Sequence, residues 1–468
     1  MGTIILHKAT VVTAEKEAVG TVIVTGDRIS RVIYSDEADY DRLVFQFIRE
    51  NPDAEVTDLQ GKYLMAGGID AHVHFREPGL TRKADISTES KAALAGGVTS
   101  VMDMPNTSPA TISGSALAEK YRLAENRSYV NIGFHIGATN TNSSEIEAIL
   151  GNRTQTDPGT VAGVKVFMGS STGNMLVDDN SAISAVFSIR SKPVLVHCED
   201  ENTILENLKK AKAQYGDAIP FSEHEHIRSR RACIKSSIKA LEKAIEKGTR
   251  LVLCHISTKE ELEMARAAKS NNPGIIAETS CNYLWFCNED YRRLGSHLKC
   301  NPSVKTAADR QALREGLASG IIDTIGSDHA PHLLSEKDVG YLSAPSGLPT
   351  IQQSLPLLIT IAGQEEIPLT RIAAVFSENA SDLYGLERGK ILPGYYADIV
   401  IFDKEREFTV RNSDQYSKCG WTPYDGELLK GYIERVLING HTVLKDGKII
   451  EQDRYGRPLE SGRISDRR

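Results

Sequence analysis

Short β-branched runs alternate along the middle of the chain with longer stretches rich in Ala, Leu, Glu and Lys. Apolar runs of this length, bounded by turn-forming residues, are typical of buried strands, and the stretches between them have the composition of helices. Eight strands are predicted in this way: DAHVHF, TSVMDMPN, VNIGFHIG, GVKVFMG, PVLVHCED, RLVLCHIS, GIIAETSC and TIGSDHA. Eight βα units over roughly 320 residues predict an α/β protein built on a (β/α)8, TIM-like barrel, with its active site at the C-terminal ends of the strands.

Both chain ends have a different pattern, in which β-rich runs are joined by turn-forming residues. IILHKATVVT and GTVIVTGDRISRVI stand near the start, and GYYADIVIFD and ERVLINGHTVLKDGKII stand near the end. We therefore expect a small β-sandwich domain formed from both ends. The predicted boundaries are residues 1–62 and 389–450 for this domain, 63–388 for the barrel, and 451–468 for a polar tail that is either loose or an arm on a neighbouring subunit.

The same alternation would also permit an open, doubly wound sheet. The polar residues favour the barrel, because they come from six different runs and stand late in most of them. Only a closed ring of strands brings so many strand ends to one point. These residues are His72, His74, Asn106, Lys165, His197, His255 and Asp328.

The composition narrows the classes of function. The 468 residues are 40% hydrophobic and 25% charged, as in a globular protein, with a formal net charge of -7. No apolar run approaches the roughly 18 residues of a spanning helix, and the first residues lack the order of a signal peptide, so we expect a cytoplasmic protein without a membrane role. The absence of a concentrated basic stretch argues against nucleic acid as a partner. Seven scattered cysteines are expected to be reduced, buried thiols.

A metal site is the chemistry that the histidines indicate most directly. His72 and His74 are one residue apart, and in a strand that spacing turns both side chains to the same face. With His197, His255 and Asp328 they make five nitrogen and oxygen donors at strand ends. Five donors exceed one open tetrahedral site but suit two metals that share a bridging ligand.

Lys165 is the candidate for that bridge. It stands between apolar residues in GVKVFMG, where a charged ammonium is costly to bury and the neutral amine is favoured. A neutral amine can react with carbon dioxide, and the resulting carbamate has two oxygens able to hold two cations about 3.5–4 Å apart. The alternative is a lysine that extends toward solvent or pairs with a carboxylate.

Each histidine taken alone is more often an ordinary interior residue than a ligand. His135 stands on a predicted barrel strand and is assigned to packing or to a position behind the ligands. His224 and His226 occur in the charged stretch SEHEHIRSRR, which predicts a solvated helix start. His329 and His441 have no recognisable partner set in the sequence.

The chain resembles the amidohydrolase superfamily and, within it, the dihydroorotases. The resemblance rests on the order along the chain of His72, His74, Lys165, His197, His255 and Asp328. The likeness covers nearly the whole chain. It implies that His72, His74 and Asp328 hold a first divalent metal ion, that His197 and His255 hold a second, and that carboxylated Lys165 lies between them. It further implies zinc as the metal, Asp328 as the catalytic acid and base, and a homodimer or other homo-oligomer.

The substrate preference that the resemblance implies depends on HVHFREPG. Dihydroorotases have an arginine two residues after the second histidine, here Arg76, and its planar guanidinium suits a carboxylate. Asn106 in MDMPNTSPAT and His332 in SDHAPH resemble positions that hold the same carboxylate, and Asn301 in KCNPSVK resembles one that contacts a pyrimidine ring. Ser171 and Thr172 resemble loop hydroxyls that close over substrate.

The implied function is the reversible cyclisation of N-carbamoyl-L-aspartate to L-dihydroorotate in pyrimidine synthesis. Hydrolysis in this interpretation uses a metal-activated hydroxide, and Asp328 carries the proton to the leaving nitrogen. A hydantoinase or allantoinase with the same metals is the first alternative, because GVKVFMGSSTGN also resembles hydantoinases. A catalytically inactive scaffold on the same fold is the second.

Overall fold

The computed structural model describes residues 2–151, 161–169, 175–451 and 454–460. Eight parallel strands form the central sheet, and their order along it is the order along the chain. Every one of the eight strands predicted from the sequence is present. They are β6 (Gly68–Val73), β7 (Val98–Asp103), β8 (Asn131–Gly137), β9 (Val161–Phe167), β10 (Val194–His197), β11 (Leu251–Leu253), β12 (Ile275–Thr279) and β13 (Thr324–Ile325).

The central sheet closes on itself, which excludes the open doubly wound alternative. The two outer strands are β6 and β13. A parallel bridge joins Val73 to His329, and the amide of His74 donates to the carbonyl oxygen of His329 at 2.8 Å. The prediction of a (β/α)8 barrel is therefore confirmed, and the carboxyl ends of all eight strands face the same end of the molecule.

Helices follow the barrel strands, and several begin at a side-chain cap. The Asp85 carboxylate accepts from the amide of Thr88 at the start of the first barrel helix, and Thr258 caps the helix that follows β11. The helices are α1 (Tyr40–Glu50), α2 (Ile86–Ala95), α3 (Gly114–Ala124), α4 (Ser143–Gly151), α5 (Asn180–Phe187), α6 (Glu201–Tyr215), α7 (His224–Ile227), α8 (Arg230–Lys247), α9 (Lys259–Lys269), α10 (Cys281–Trp285), α11 (Tyr291–Leu294), α12 (Ala307–Ser319), α13 (Leu334–Lys337), α14 (Ser354–Gln364), α15 (Leu369–Ala373) and α16 (Asn379–Tyr384).

Strands from both chain ends form a second, mixed sheet of nine strands, as the β-rich ends predict. Its apolar side chains from the two ends share one core, in which Leu6, Val11 and Val22 meet Ile399 and Leu437. The strands are β1 (Thr3–Val12), β2 (Glu17–Thr25), β3 (Arg28–Tyr34), β4 (Glu55–Asp58), β5 (Tyr63–Ala66), β14 (Ile399–Asp403), β17 (Tyr432–Ile438), β18 (His441–Lys445) and β19 (Lys448–Ile449). A separate pair, β15 (Phe408–Thr409) and β16 (Leu428–Leu429), completes the strands of the described residues.

Two details differ from the predicted organisation. Strand β5 pairs with β1 and β14 in the second sheet, although the prediction placed its residues at the start of the barrel. The short segment 454–460 packs on the chain's own barrel, where Pro458 bridges to Ile132 and Leu459 is buried among barrel side chains. The polar composition of the tail gave no indication of this apolar contact. Because of the contact, the described part of the tail is not loose.

Within the described part of the chain, no helix is both long enough and apolar enough to cross a membrane.

Candidate metal centre and substrate cavity

The polar residues singled out in the sequence lie where the barrel strands end. His72 and Lys165 belong to β6 and β9, and His197 is the last residue of β10. His74, Arg76, Asn106, His255 and Asp328 follow their strands within a few residues, whereas Asn301 lies in the connection between α11 and α12. These residues line one cavity. Of the predicted site residues that the structure describes, only His332 is not part of the lining, and it contacts two residues that are, Arg76 and Ser346. The lining consists of His72, His74, Arg76, Asn106, Lys165, Phe167, His197, His255, Asn301, Asp328, Ala330, Ser346 and Gly347.

Three of these residues have left-handed backbone conformations that side chains rarely adopt. The φ angles are 66° at Arg76, 39° at His255 and 49° at Asp328. Such conformations are costly for residues other than glycine, and they concentrate at functional sites where the surrounding structure holds them. Here each occurs just after a barrel strand, where it turns the side chain into the cavity.

The first donor group consists of His72, His74 and Asp328, whose ligand atoms lie within 4.8 Å of one another. Oδ1 of Asp328 is 3.1 Å from Nε2 of His74 and 3.5 Å from Nε2 of His72. This is a nitrogen and oxygen donor set of the kind that divalent transition metals bind.

Hydrogen bonds behind the two imidazoles set which nitrogen faces the cavity. Nδ1 of His72 lies 2.7 Å from Oε1 of Glu278, and Nδ1 of His74 lies 2.7 Å from Oδ1 of Asn106. Because a carboxylate and an amide oxygen only accept, both Nδ1 atoms carry the proton and both Nε2 lone pairs face Asp328. Lone pairs and a carboxylate oxygen at this separation repel one another unless a cation lies between them, so the donor set fits a metal ion.

Gly326 makes room for the contact between His72 and Glu278. A Cβ atom at this glycine would lie 2.8 Å from Cβ of His72 and 2.7 Å from the carboxyl carbon of Glu278. Any side chain at position 326 would therefore push the pair apart.

The second donor group is formed by His197 and His255, with Nδ1 of the first 2.9 Å from Nε2 of the second. Nε2 of His197 bonds to Oε2 of Glu199 at 2.9 Å, and Arg228 forms an ion pair with the same carboxylate. The proton of His197 therefore sits on Nε2, and its Nδ1 lone pair is turned toward His255. Again the arrangement fits a cation held by two imidazoles.

Burial favours the neutral form of these imidazoles. It lowers the pKa of His197 and lowers the pKa values of His72 and His255 well below the usual range. Neutral imidazole is the form that ligates metals.

Lys165 is completely buried in the wall of the cavity that both donor groups line. Its Nζ atom lies 3.4 Å from Sγ of Cys254 and 5.1 Å from the centre of the Phe167 ring. The amine is thus held among weakly polar neighbours in the same cavity as the imidazoles.

Arg76 carries a positive charge into the same cavity and is only 2% exposed. Burial lowers its pKa to about 10, which leaves the guanidinium charged at neutral pH. Its Nε donates to the carbonyl oxygen of Pro331 at 3.2 Å, and Nη2 lies 3.1 Å from Nε2 of His332. Among the residues that the structure describes, no carboxylate lies within 4.0 Å of this guanidinium.

The three other predicted substrate contacts differ in their surroundings. Asn106 lines the cavity and holds His74 through its Oδ1 atom. Oδ1 of Asn301 is buried in the cavity wall without a hydrogen-bond partner in the described part of the chain. His332 lies beside Arg76, with only 1% of its side chain exposed. Ser171 and Thr172 lie outside the described residues.

Among the histidines outside the two donor groups, the predicted solvent exposure of His224 is wrong. His224 is fully buried rather than solvated, because its ring bonds to the hydroxyl of Tyr341 and the carbonyl oxygen of Cys300, each at 2.8 Å. These partners are distant in sequence, so the charged local composition was misleading. His226, two residues later, is exposed as predicted.

His135 and His329 are buried and lie behind the ligands. Nε2 of His135 bonds to the carbonyl oxygen of Ala71 at 2.8 Å, which agrees with the predicted packing role. His329 bonds to Oε2 of Glu89 at 2.7 Å. His441 stacks on the ring of Tyr455. The seven cysteines are all free and buried, as predicted.

Sequence reasoning missed the residues that orient the ligands. Glu278 and Glu199 are the carboxylates behind His72 and His197, and Lys83 lies 2.9 Å from Nδ1 of His332. A signal was present for Glu278, which follows Ile-Ile-Ala in a strand where a solitary carboxylate has to find a buried partner.

A (β/α)8 barrel that gathers imidazoles, a lysine and an aspartate at its strand ends has the donor set of a metal-dependent hydrolase. Residues 63–443 match the family model described as "Amidohydrolase family". The chain belongs to the amidohydrolase family, whose members are generally dependent on divalent metals.

Individual relatives share most of the chain's length. A dihydroorotase from Methanosarcina acetivorans is 34% identical over 88% of this chain and 88% of its own. An allantoinase from Desulfitobacterium hafniense is 28% identical over 85% of this chain and 88% of its own. A solved structure of an L-hydantoinase from Arthrobacter aurescens superposes with a TM-score of 0.89 over 98% of this chain and 100% of its own, and at 24% identity it shows the shared fold.

Proposed function

We propose that this protein is a dihydroorotase, which reversibly closes N-carbamoyl-L-aspartate to L-dihydroorotate. Buried Arg76 is the observation that carries the proposal, because it leaves a cation without a carboxylate partner among the described residues, beside a metal donor set. A buried charge with no counter-charge is costly, and a carboxylate on the substrate would compensate it. Dihydroorotate has such a carboxylate on its ring, whereas hydantoin does not. Dihydroorotase relatives at 34% identity support the same choice.

We assign two divalent cations, with zinc as the expected metal, to the donors of the cavity. His72, His74 and Asp328 would hold the first, His197 and His255 the second, and a carbamate on Lys165 would join them. When bound, such a pair of cations supplies a hydroxide nucleophile at neutral pH and polarises the amide carbonyl.

The chain's own residues then position the substrate and move the proton. Asp328 faces the Nε2 atoms of both His72 and His74, and it would take the proton in hydrolysis and return it to the leaving nitrogen. Arg76 would bind the substrate carboxylate and so align the ring. Oδ1 of Asn301, an acceptor without a partner in the described chain, suits a ring N–H.

The deciding experiment compares hydrolysis of L-dihydroorotate, hydantoin and allantoin, with metal content measured on the same sample. We expect selective turnover of dihydroorotate and about two divalent ions per chain. Metal with faster turnover of hydantoin or allantoin would instead indicate another cyclic amidohydrolase. Protein without metal or turnover, even after addition of zinc and bicarbonate, would indicate the scaffold alternative.

Two parts of the sequence-based interpretation stay predictions. A homodimer or other homo-oligomer is expected from the resemblance, and light scattering coupled to size exclusion would test it. A cytoplasmic location is likewise expected from the composition of the chain.

A further inference from the structure

Two cations enclose the His332 ring, one at each nitrogen. Nζ of Lys83 lies 2.9 Å from Nδ1, and Nη2 of Arg76 lies 3.1 Å from Nε2. The carbonyl oxygen of Ser346 is also 3.1 Å from Nε2. The ring is thus in contact with two donors and one acceptor, and these contacts determine where its proton sits.

A protonated lysine only donates, so Nδ1 of His332 has to accept from Lys83. A neutral imidazole carries a single N–H, which is then on Nε2 and donates to Ser346. The guanidinium of Arg76 is also a donor only, so the Nη2 and Nε2 atoms present two N–H groups 3.1 Å apart. Because the Nε2–H already donates to Ser346, a carboxylate beside Arg76 would share this N–H with the Ser346 carbonyl oxygen and would accept its second hydrogen bond from Arg76.

The charges around the ring support the same protonation state. Burial lowers the pKa of His332 strongly, and the nearby charges of Arg76, Lys83 and Lys337 lower it further. Glu336 is the acidic neighbour, with one oxygen 3.8 Å from Nδ1 of His332 and the other 3.4 Å from Nζ of Lys83. Burial lowers the pKa of Lys83, and the charge of Glu336 opposes this shift in favour of the ammonium form. The ring is therefore neutral at physiological pH. A neutral imidazole has two tautomers, and the contact with Lys83 determines which of them is favoured.

Lys337 fixes the acceptor on the opposite side of the ring. Its Nζ atom donates to the carbonyl oxygens of Lys299, Pro345 and Gly347 at 3.0 to 3.1 Å. Two of these acceptors flank Ser346, whose carbonyl oxygen is thereby held against Nε2 of His332.

We infer that Lys83 is a positioning residue for His332, which holds the imidazole in its Nε2–H tautomer and so directs a second donor, beside Arg76, at the substrate carboxylate. The carboxylate part of this inference rests on the proposed function. The tautomer part does not, and it can be measured without substrate.

The first test is the protonation of His332 in the metal-loaded enzyme. Nitrogen NMR of protein labelled with 15N-histidine distinguishes the two tautomers, and a His332→Gln sample identifies the signal. We expect an Nε2–H ring in the wild type, and a mixture of tautomers in Lys83→Met. An Nδ1–H ring in the wild type, or an unchanged spectrum in Lys83→Met, would overturn the inference whatever the substrate is.

The second test separates the carboxylate from the ring. Lys83→Met should raise KM for L-dihydroorotate about tenfold, the loss of roughly one charge-assisted hydrogen bond, with kcat within about twofold. Binding of dihydrouracil, the same ring without the carboxylate, should not change, and Lys83→Arg should restore most of the affinity.

Arg82→Met is the matched control, since Arg82 contacts Glu336 at 2.6 Å and is 67% exposed. It removes the same charge one residue away, and KM should stay within about twofold of the wild type. If Arg82→Met raised KM as much as Lys83→Met does, the role of Lys83 would be a general electrostatic one. If Lys83→Met weakened the binding of dihydrouracil as much as that of dihydroorotate, its role would be structural. If the wild type fails to hydrolyse dihydroorotate, the proposed function is wrong, and the NMR result alone decides the role of Lys83.

Discussion

Oε1 of Glu278 lies 2.7 Å from Nδ1 of His72, and both side chains are almost fully buried. Glu278 is the penultimate residue of the seventh barrel strand and His72 belongs to the first, so the contact crosses the interior of the barrel. The carboxylate holds the proton of the imidazole on Nδ1, and the Nε2 lone pair is thereby directed at the proposed metal position. A residue outside both proposed metal-binding sets therefore sets the orientation of a proposed ligand.

Glu278→Gln should weaken metal binding about 10-fold to 100-fold, because an amide supports the imidazole less well than a carboxylate. The measurement is chelator competition on the purified protein, with zinc content followed at each chelator concentration. Activity at saturating zinc should recover toward the wild-type value, since the variant retains every proposed ligand.

Glu89→Gln is the control for this prediction. Glu89 is also a buried glutamate bonded to an imidazole, but that imidazole belongs to His329, which is not a proposed ligand. The control should lose stability without losing affinity for zinc. Equal losses of zinc affinity in both variants would show that the effect of Glu278 is not specific to His72.

The barrel could be predicted from the sequence because each strand is a short local pattern. Runs such as GVKVFMG and PVLVHCED indicate both a buried strand and a polar residue near its end. Parallel strands in a closed ring bring those ends together. His72, His74 and Lys165 were found in this way. Arg76 was identified through the resemblance, and its side chain is buried in the wall of the same cavity.

The residues that were missed depend on contacts between distant parts of the chain. Glu278 is 206 residues from His72, and Lys83 is 249 residues from His332. His224 is buried by partners 76 and 117 residues away, although its own segment is charged. Local periodicity contains no information on such pairs, and only the folded barrel brings them together.

Asp328→Asn should lower kcat about 10²–10⁴-fold while most of the metal stays bound. An amide can still offer an oxygen to a cation, but it cannot take up a proton at neutral pH. Turnover of L-dihydroorotate and metal content measured on the same sample would check this. Wild-type turnover in the variant would rule out Asp328 as the proton carrier.

Arg76→Gln should raise KM for L-dihydroorotate about 10-fold to 100-fold, the scale of a lost hydrogen bond to a charged group, and should affect kcat less. Arg76→Lys retains the charge but loses the planar pair of donors, so its KM should be intermediate. The measurement is steady-state kinetics, with inhibition by dihydrouracil as the control for intact ring binding. An unchanged KM in Arg76→Gln would remove the argument for an anionic substrate.

The ion pair of Lys120 and Asp103 is buried beside the segment that carries the site. Both side chains are at most 1% exposed, and Oδ1 of Asp103 also accepts from the amide of Phe75 at 2.7 Å. Phe75 stands between His74 and Arg76, so Asp103 anchors the backbone from which a proposed ligand and the proposed carboxylate contact project.

Lys120→Met should lower the free energy of unfolding by about 3–5 kcal/mol, because it leaves the carboxylate of Asp103 buried without its counter-charge. The double variant Lys120→Met with Asp103→Asn retains an acceptor for the amide of Phe75 and buries no charge. It should recover most of the lost stability, since replacing both members of a buried ion pair costs far less than removing one. Chemical denaturation of the metal-loaded protein would measure both values. A double variant as unstable as the single one would mean that packing of the Lys120 side chain, rather than the unpaired charge, causes the loss.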